Sequence, residues 1–517
     1  MTASILPNTA VLFQDRTETP LSFSETLPDH LPDMRKIIAA ESRPMHTEAV
    51  LRDGRVCLTA NGSLVLVYIG ESKGHLKTAV FPITLEKEYP LPDNVPTDCV
   101  KVAADCDVYA ANASMSSSRT VECRAIAVFS VTVTRESLHD FDDFSHDGVC
   151  LHETSFDTTM HESYTGQFEF HQDITLDTDN DAIAELILPR FSVRVTACRR
   201  TGTGFSIDGN LVFQTVCRAE KSENAEDTSY FRLTKTFILA EEIGTDESAA
   251  HPDNGASLLP CAKILSESAS VTFDSYGENR VIRLNVEYAV CIDVFTDRTV
   301  RCFDDAFCPN TDCHVDTAAV AYEKQVCSFD ETLHITERLN ADTSGLAVIT
   351  DCRLTLMQPS VTSADGNAQL TARAELQVYG KNENGDDTGL GTLLRIHAPM
   401  KELPLPMPSD KVVQCVSVLS ADAALRAGEI VADITLKVVG VLLHVLRVTA
   451  VCGVEVPTET QNAADNAAYI FCYPNDTDTV WQIAKRYGVP PETVMSANDL
   501  TNDSFTPGAP LLIPQNV

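Results

Sequence analysis

The chain has 517 residues, 44% of them hydrophobic, enough for about three to four domains with cores of their own, which excludes a disordered chain. Its 39 Lys+Arg against 74 Asp+Glu give a net charge of −35, which repels phosphate backbones and anionic lipid surfaces and so excludes nucleic acid as a natural partner. No basic, apolar leader opens at Met1, and the longest apolar run, Val438 to Val451, is broken by His444 and Arg447, well short of the ~20 residues a membrane helix needs. The expectation is a soluble, cytosolic protein without membrane insertion.

Along the chain one pattern occurs three times. Phe23-Ser24-Glu25-Thr26-Leu27, Phe170-His171-Gln172-Asp173-Ile174 and Phe329-Asp330-Glu331-Thr332-Leu333 read as versions of one opening strand. Glycine-marked turns are expected at Asn61-Gly62 and Asp208-Gly209, before strongly apolar strands. Each copy closes on a long alternating segment. Val121, Cys123, Ala125, Ala127, Phe129, Val131 and Val133 share one parity in the first. Ile282 through Val294 and Ile430 through Val438 do so in the second and third. A period of two puts successive side chains on opposite faces, so each segment is a long strand with one buried face. The β-branched enrichment agrees. The fold class expected is therefore mainly β: three repeated antiparallel β-sandwich-like domains at 11–138, 162–303 and 322–455.

Candidate chemistry within these repeats is thin. His152-Glu153 and His161-Glu162 lack the second histidine of a zinc-protease helix and read as surface loop residues. Asp177-Thr178-Asp179-Asn180-Asp181 imitates a calcium loop, but Ala182 and Leu188 stand where glycine and glutamate belong. Gly202-Thr203-Gly204 reads as a turn. Seventeen cysteines without paired spacing read as reduced thiols acting as small hydrophobes. Cys302, Cys308, Cys313, His314 and Cys327 are the densest soft-ligand group, yet only Cys308 and Cys313 come near zinc spacing, so no metal or other cofactor is expected. No nucleophile elbow or phosphate loop occurs, and no catalytic residue is assigned.

A polar linker at 456–468 leads to a small C-terminal unit at 469–515. An aromatic strand starts at Tyr469. Asp478 and Thr479 are helix-capping types placed before the apolar positions Val480, Ile483, Ala484 and Tyr487. Gly488 suits a helix end, Pro490-Pro491 the first turn of the next helix, and Pro507-Gly508-Ala509-Pro510-Leu511-Leu512-Ile513-Pro514 a closing strand. In so short a unit the few large side chains matter most, and Trp481, the chain's only tryptophan, is among them.

These residues resemble the LysM domain, a βααβ unit, with Thr477 standing where the family commonly carries glycine. The resemblance implies a shallow binding face for a partner or glycan at Asp478, Thr479, Val480, Asn498, Pro507 and Gly508. The same residue types also serve as caps and turns, so both roles stand open. Three β repeats followed by one LysM unit resemble the SPOCS-domain, SipL-type spore coat morphogenetic proteins of endospore-forming bacteria. That likeness implies a non-enzymatic scaffold in the mother-cell cytosol at the forespore surface. Its LysM unit would dock onto the coat-basement ATPase, and its repeats would organise other coat proteins and offer surface for self-association. The alternative is a cell-wall protein binding GlcNAc-containing glycan of peptidoglycan, which requires export.

Overall fold

The computed structural model describes residues 5–515 except 44, 72–74, 93–99, 141–147, 178–180, 221–229, 246–254, 310, 340–344, 365, 457–467, 502–504 and 507. Three groups of strands share one plan. In the first, β1 (Ile5–Thr26) pairs with the closing strand β7 (Thr120–Asp140), which also pairs with β6 (Val100–Met115). The second repeats this with β8 (Cys150–Thr175), β13 (Val281–Phe307) and β12 (Ser257–Thr272). The third uses β14 (His314–Leu339), β19 (Glu429–Glu455) and β18 (Lys411–Arg426). All these pairings are antiparallel.

The intervening strands form the facing sheet of each sandwich. They are β9 (Ile183–Thr201), β10 (Gly204–Ala219) and β11 (Tyr230–Gly244) in the second repeat. In the third they are β15 (Val348–Ala364), β16 (Asn367–Lys381) and β17 (Asp387–Pro399). The first repeat splits the equivalent edge. There β2 (Met34–Ser42) pairs with one half of β4 (Arg55–Gly70) and β3 (His46–Arg52) with the other, while β5 (Leu76–Pro90) runs along the whole of β4.

Alternation in the closing strands is what fills the sandwiches. Val121, Cys123, Ala127, Phe129, Val131 and Val133 are buried in the first, as are Ile282 to Val294 and Ile430 to Val438 at every second position in the other two. Each packs on the facing sheet: Val131 with Leu58, Val286 with Leu211, Ile434 with Leu376. The glycine expectations need correction. Asn61-Gly62 lies inside β4 and Asp208-Gly209 inside β10, not in turns. At Gly209 the ladder shifts register, and a Cβ there would meet the Arg194 carbonyl oxygen at 2.8 Å, so the glycine serves close strand approach. Gly202 and Thr203 do form the turn between β9 and β10.

The three sandwiches meet at a shared junction. Ile38, Val65, Val67 and Ile69 of the first repeat pack with Ile187 and Leu188 of the second and Tyr379 of the third. Beside them sits a buried ionic knot. Glu41, 3% exposed, accepts from the Arg353 guanidinium and the Tyr379 hydroxyl of the third repeat, and Arg190 of the second lies 3.6 Å away. Arg190 also bonds Asp351 at 3.1 Å, and Arg43 bonds Glu267 at 2.8 Å. Burial would raise the Glu41 carboxyl, but the Arg353 and Arg190 charges and the hydrogen bonds reverse this and hold it below its ordinary range.

Cysteine chemistry departs from expectation at one pair. Cys261 on β12 and Cys415 on β18 form a disulfide between the second and third repeats, with Cα atoms 5.8 Å apart. Two outer sheet faces pack there, carrying Leu259 and Phe295 on one side and Val441 and Leu443 on the other. Spacing in sequence could not reveal the pair, because the two cysteines meet only once the repeats pack. The other described cysteines are free. Among them Cys302 packs against Val300 and Val320, Cys308 and Cys313 lie near Val451, and Cys327 packs on the third core. His314 pairs with Asp316. Burial, then Cys313 beside it, pushes the Cys308 thiol up to about 12. Among the described residues no three His, Cys, Asp or Glu side chains converge as a metal site. Of the calcium-like run, residues 178–180 lie outside the described residues.

Candidate functional site

The C-terminal unit is built of β20 (Tyr469–Cys472), α1 (Val480–Tyr487), α2 (Pro491–Ala497) and β21 (Leu511–Pro514), with β20 and β21 antiparallel. Its core holds Cys472, Val480, Trp481, Ile483, Ala484, Val494, Leu511 and Ile513. Thr479 caps α1 in a reciprocal box: its hydroxyl accepts from the Gln482 amide at 3.2 Å, and the Gln482 side chain accepts from the Thr479 amide at 3.1 Å. Gly488, at φ 65°, closes the helix in the left-handed region, where a side chain would be strained. Pro491 opens α2.

The loop between β20 and α1 and the loop before β21 lie side by side, since the Gly508 amide donates to the Pro474 carbonyl at 3.1 Å. Asn475, Asp476, Thr477 and Gly508 are exposed on this pair of loops. The sequence-assigned positions divide between surface and scaffold. Asp478 accepts from the Asn475 amide and from Arg486 at 2.9 Å each, which together hold its carboxyl below the usual range. Val480, 1% exposed, gives its side chain to the core. Asn498 donates to the Val494 and Leu512 carbonyls and accepts from the Leu512 amide, tying the end of α2 to β21. Pro507 lies outside the described residues. Asn498→Ala is expected to cost about 1–3 kcal/mol of the unit's stability by orphaning these groups, and to lower ligand retention in proportion; melting curves beside binding isotherms check both.

The structure also shows what no motif announced. Helix α1 rests on the far end of the second repeat. Trp481 Nε1 donates to Asp305 Oδ2 at 2.9 Å and Lys485 Nζ to Asp305 Oδ1 at 2.6 Å. The Trp481 ring centroid lies 5.0 Å from that of Phe307 and 4.9 Å from that of His152. His152 is thus a strand residue on β8, paired with Asp304 at 2.6 Å, and His161, also on β8, pairs with Asp293 at 3.0 Å; neither is the loop residue expected. Burial would raise Asp305, but its bonds from Lys485 and Trp481 hold it below the ordinary range. Residues 457–467 of the polar linker lie outside the described residues, while the head that follows them is seated on the second repeat.

Comparison with known proteins matches residues 477–514 to the LysM domain family, so the C-terminal unit is a LysM domain. No curated protein and no solved structure matches the chain.

Proposed function

We propose that this chain is a non-enzymatic recognition scaffold in which three joined β sandwiches carry a LysM domain that binds GlcNAc-containing glycan. The observation carrying this reading is the LysM domain's division of surface. Helix α1 is committed to the second repeat through Trp481 and Lys485, while the loops at Asn475–Thr477 and Gly508 stay exposed. Those loops include or adjoin the assigned positions Asp478, Thr479 and Gly508. The Cys261–Cys415 disulfide supports the same reading, because such bonds persist in oxidising compartments.

A second reading keeps the scaffold and changes the ligand: a spore envelope protein in the mother-cell cytosol, docking onto a coat-basement ATPase. The many unpaired cysteines favour it, as does the fact that α1 already recognises a protein surface at Asp305. Sedimentation with insoluble peptidoglycan separates the two. Retention of the full chain that is lost on deleting 469–515 supports the glycan. No retention, together with loss of forespore localisation in the same deletion, supports the protein partner.

A further inference from the structure

On β20 the side chains alternate between two faces. Ile470 and Cys472 turn to the domain core, while Tyr469 and Phe471, and Tyr473 just past the strand end, are 57%, 65% and 68% exposed. In the β20–β21 register Leu512 stands opposite Phe471 and Pro514 opposite Tyr469, so the two-stranded sheet carries an apolar outward face led by two aromatic rings, with exposed Tyr473 following the strand end. Exposed large apolar side chains in such a row mark contact surfaces. Rings at every second position of a strand lie ~7 Å apart, so Tyr469 and Phe471 are spaced by about that length and Tyr473 extends the row past the strand end, the shape of a short linear ligand.

Resting on the glycan reading above, we propose that this face is a second contact surface for the same neutral polysaccharide, continuing the binding path out from the exposed loops. Three observations select that occupant. Tyr473 directly precedes Pro474, whose carbonyl joins the two exposed loops, so the row is continuous in sequence with the loop face. The exposed aromatic area is on the order of 400 Å², about half of the ~800 Å² per partner that a stable protein interface buries. The chain's net charge of −35 disfavours a polyanion, the other polymer that stacks on aromatic rows. A pyranose ring presents a face of C–H groups that complements the electron-rich face of Tyr or Phe.

The proposal makes affinity depend on glycan length. Calorimetric titration of the full chain with soluble N-acetylglucosamine oligomers of increasing length is expected to show tighter binding once an oligomer outgrows the loop face. The triple variant Tyr469→Ala, Phe471→Ala, Tyr473→Ala is expected to bind the shortest binding oligomer as before and to lose about tenfold on the long ones, with its melting temperature unchanged. Equal affinities of variant and parent at every length would overturn this surface while leaving the loop-face reading intact. A uniform loss accompanied by lowered melting would overturn it as a mere structural effect. Failure of the parent chain to bind any oligomer would remove both readings together.

Discussion

Replacing Glu41 with alanine is expected to destabilise the body by about 3 kcal/mol, because it strands the half-buried Arg353 guanidinium and removes the carboxylate facing Arg190. Two buried opposite charges roughly offset their own desolvation, but either one left alone does not. A double variant, Glu41→Met with Arg353→Met, should therefore recover much of the loss, since apolar replacements of similar volume suit a junction already lined by Val67, Ile69 and Ile187. Denaturant unfolding reads the first effect, and small-angle scattering reads whether the sandwiches separate. A loss below about 1 kcal/mol in the single variant would show that the apolar junction suffices without the knot. The pH dependence has a defined sign. Glu41 is held below its ordinary range, so its contribution is complete above that range and is lost as pH falls through the depressed folded-state value. Glu267 is shifted the other way, raised first by burial and only partly restored by Arg43, so its contribution declines as pH rises through that value.

The second large effect belongs to Trp481. Truncation to alanine empties the largest side chain from the LysM core and also vacates the contact with Phe307 and His152, at an expected cost of about 3–5 kcal/mol. A unit of this size has little stability beyond that, so local unfolding of α1 and α2 should follow while the sandwiches stay intact. Hydrogen exchange measured peptide by peptide will show fast exchange confined to 469–515 if this holds. Asp305→Ala separates seating from folding. It deletes the acceptor for Trp481 and Lys485 but leaves the LysM core whole, so Trp481 emission should shift to the red while the α1 amides keep most of their protection. Unchanged emission in that variant would mean the two rings beside Trp481 hold the seat without the carboxylate.

What could be read in advance follows from which forces are local. The parity of Val121 to Val133 announces a buried strand because a sheet's period is two whatever packs on it, and Thr479 with Gln482 announces a helix start because capping involves near neighbours only. Gly62 and Gly209 lie inside strands instead of turns: a glycine allows a turn, but at Gly209 it also admits the neighbouring strand's backbone, and only the fold decides. Glu41, Arg190 and Arg353 carried no signal, being single charged residues in three separate repeats whose meeting depends on how the domains pack. Asp305 and Cys261 were hidden likewise. An aromatic strand from Tyr469 was legible; what the sequence lacked was which face of that strand the helices would cover.

The knot has a temporal side. Glu41 and its partner Arg353 are 312 positions apart, so at ordinary ribosomal speeds of about 5–20 residues per second the carboxylate waits on the order of half a minute for its guanidinium to be made. Through that interval the first sandwich holds an acid built for burial, and of its two guanidinium partners only Arg190 of the second repeat is made before β15. Final locking is thus a late event that reports complete synthesis, and a polypeptide cut short before β15 emerges with its repeats loosely joined and open to proteolysis.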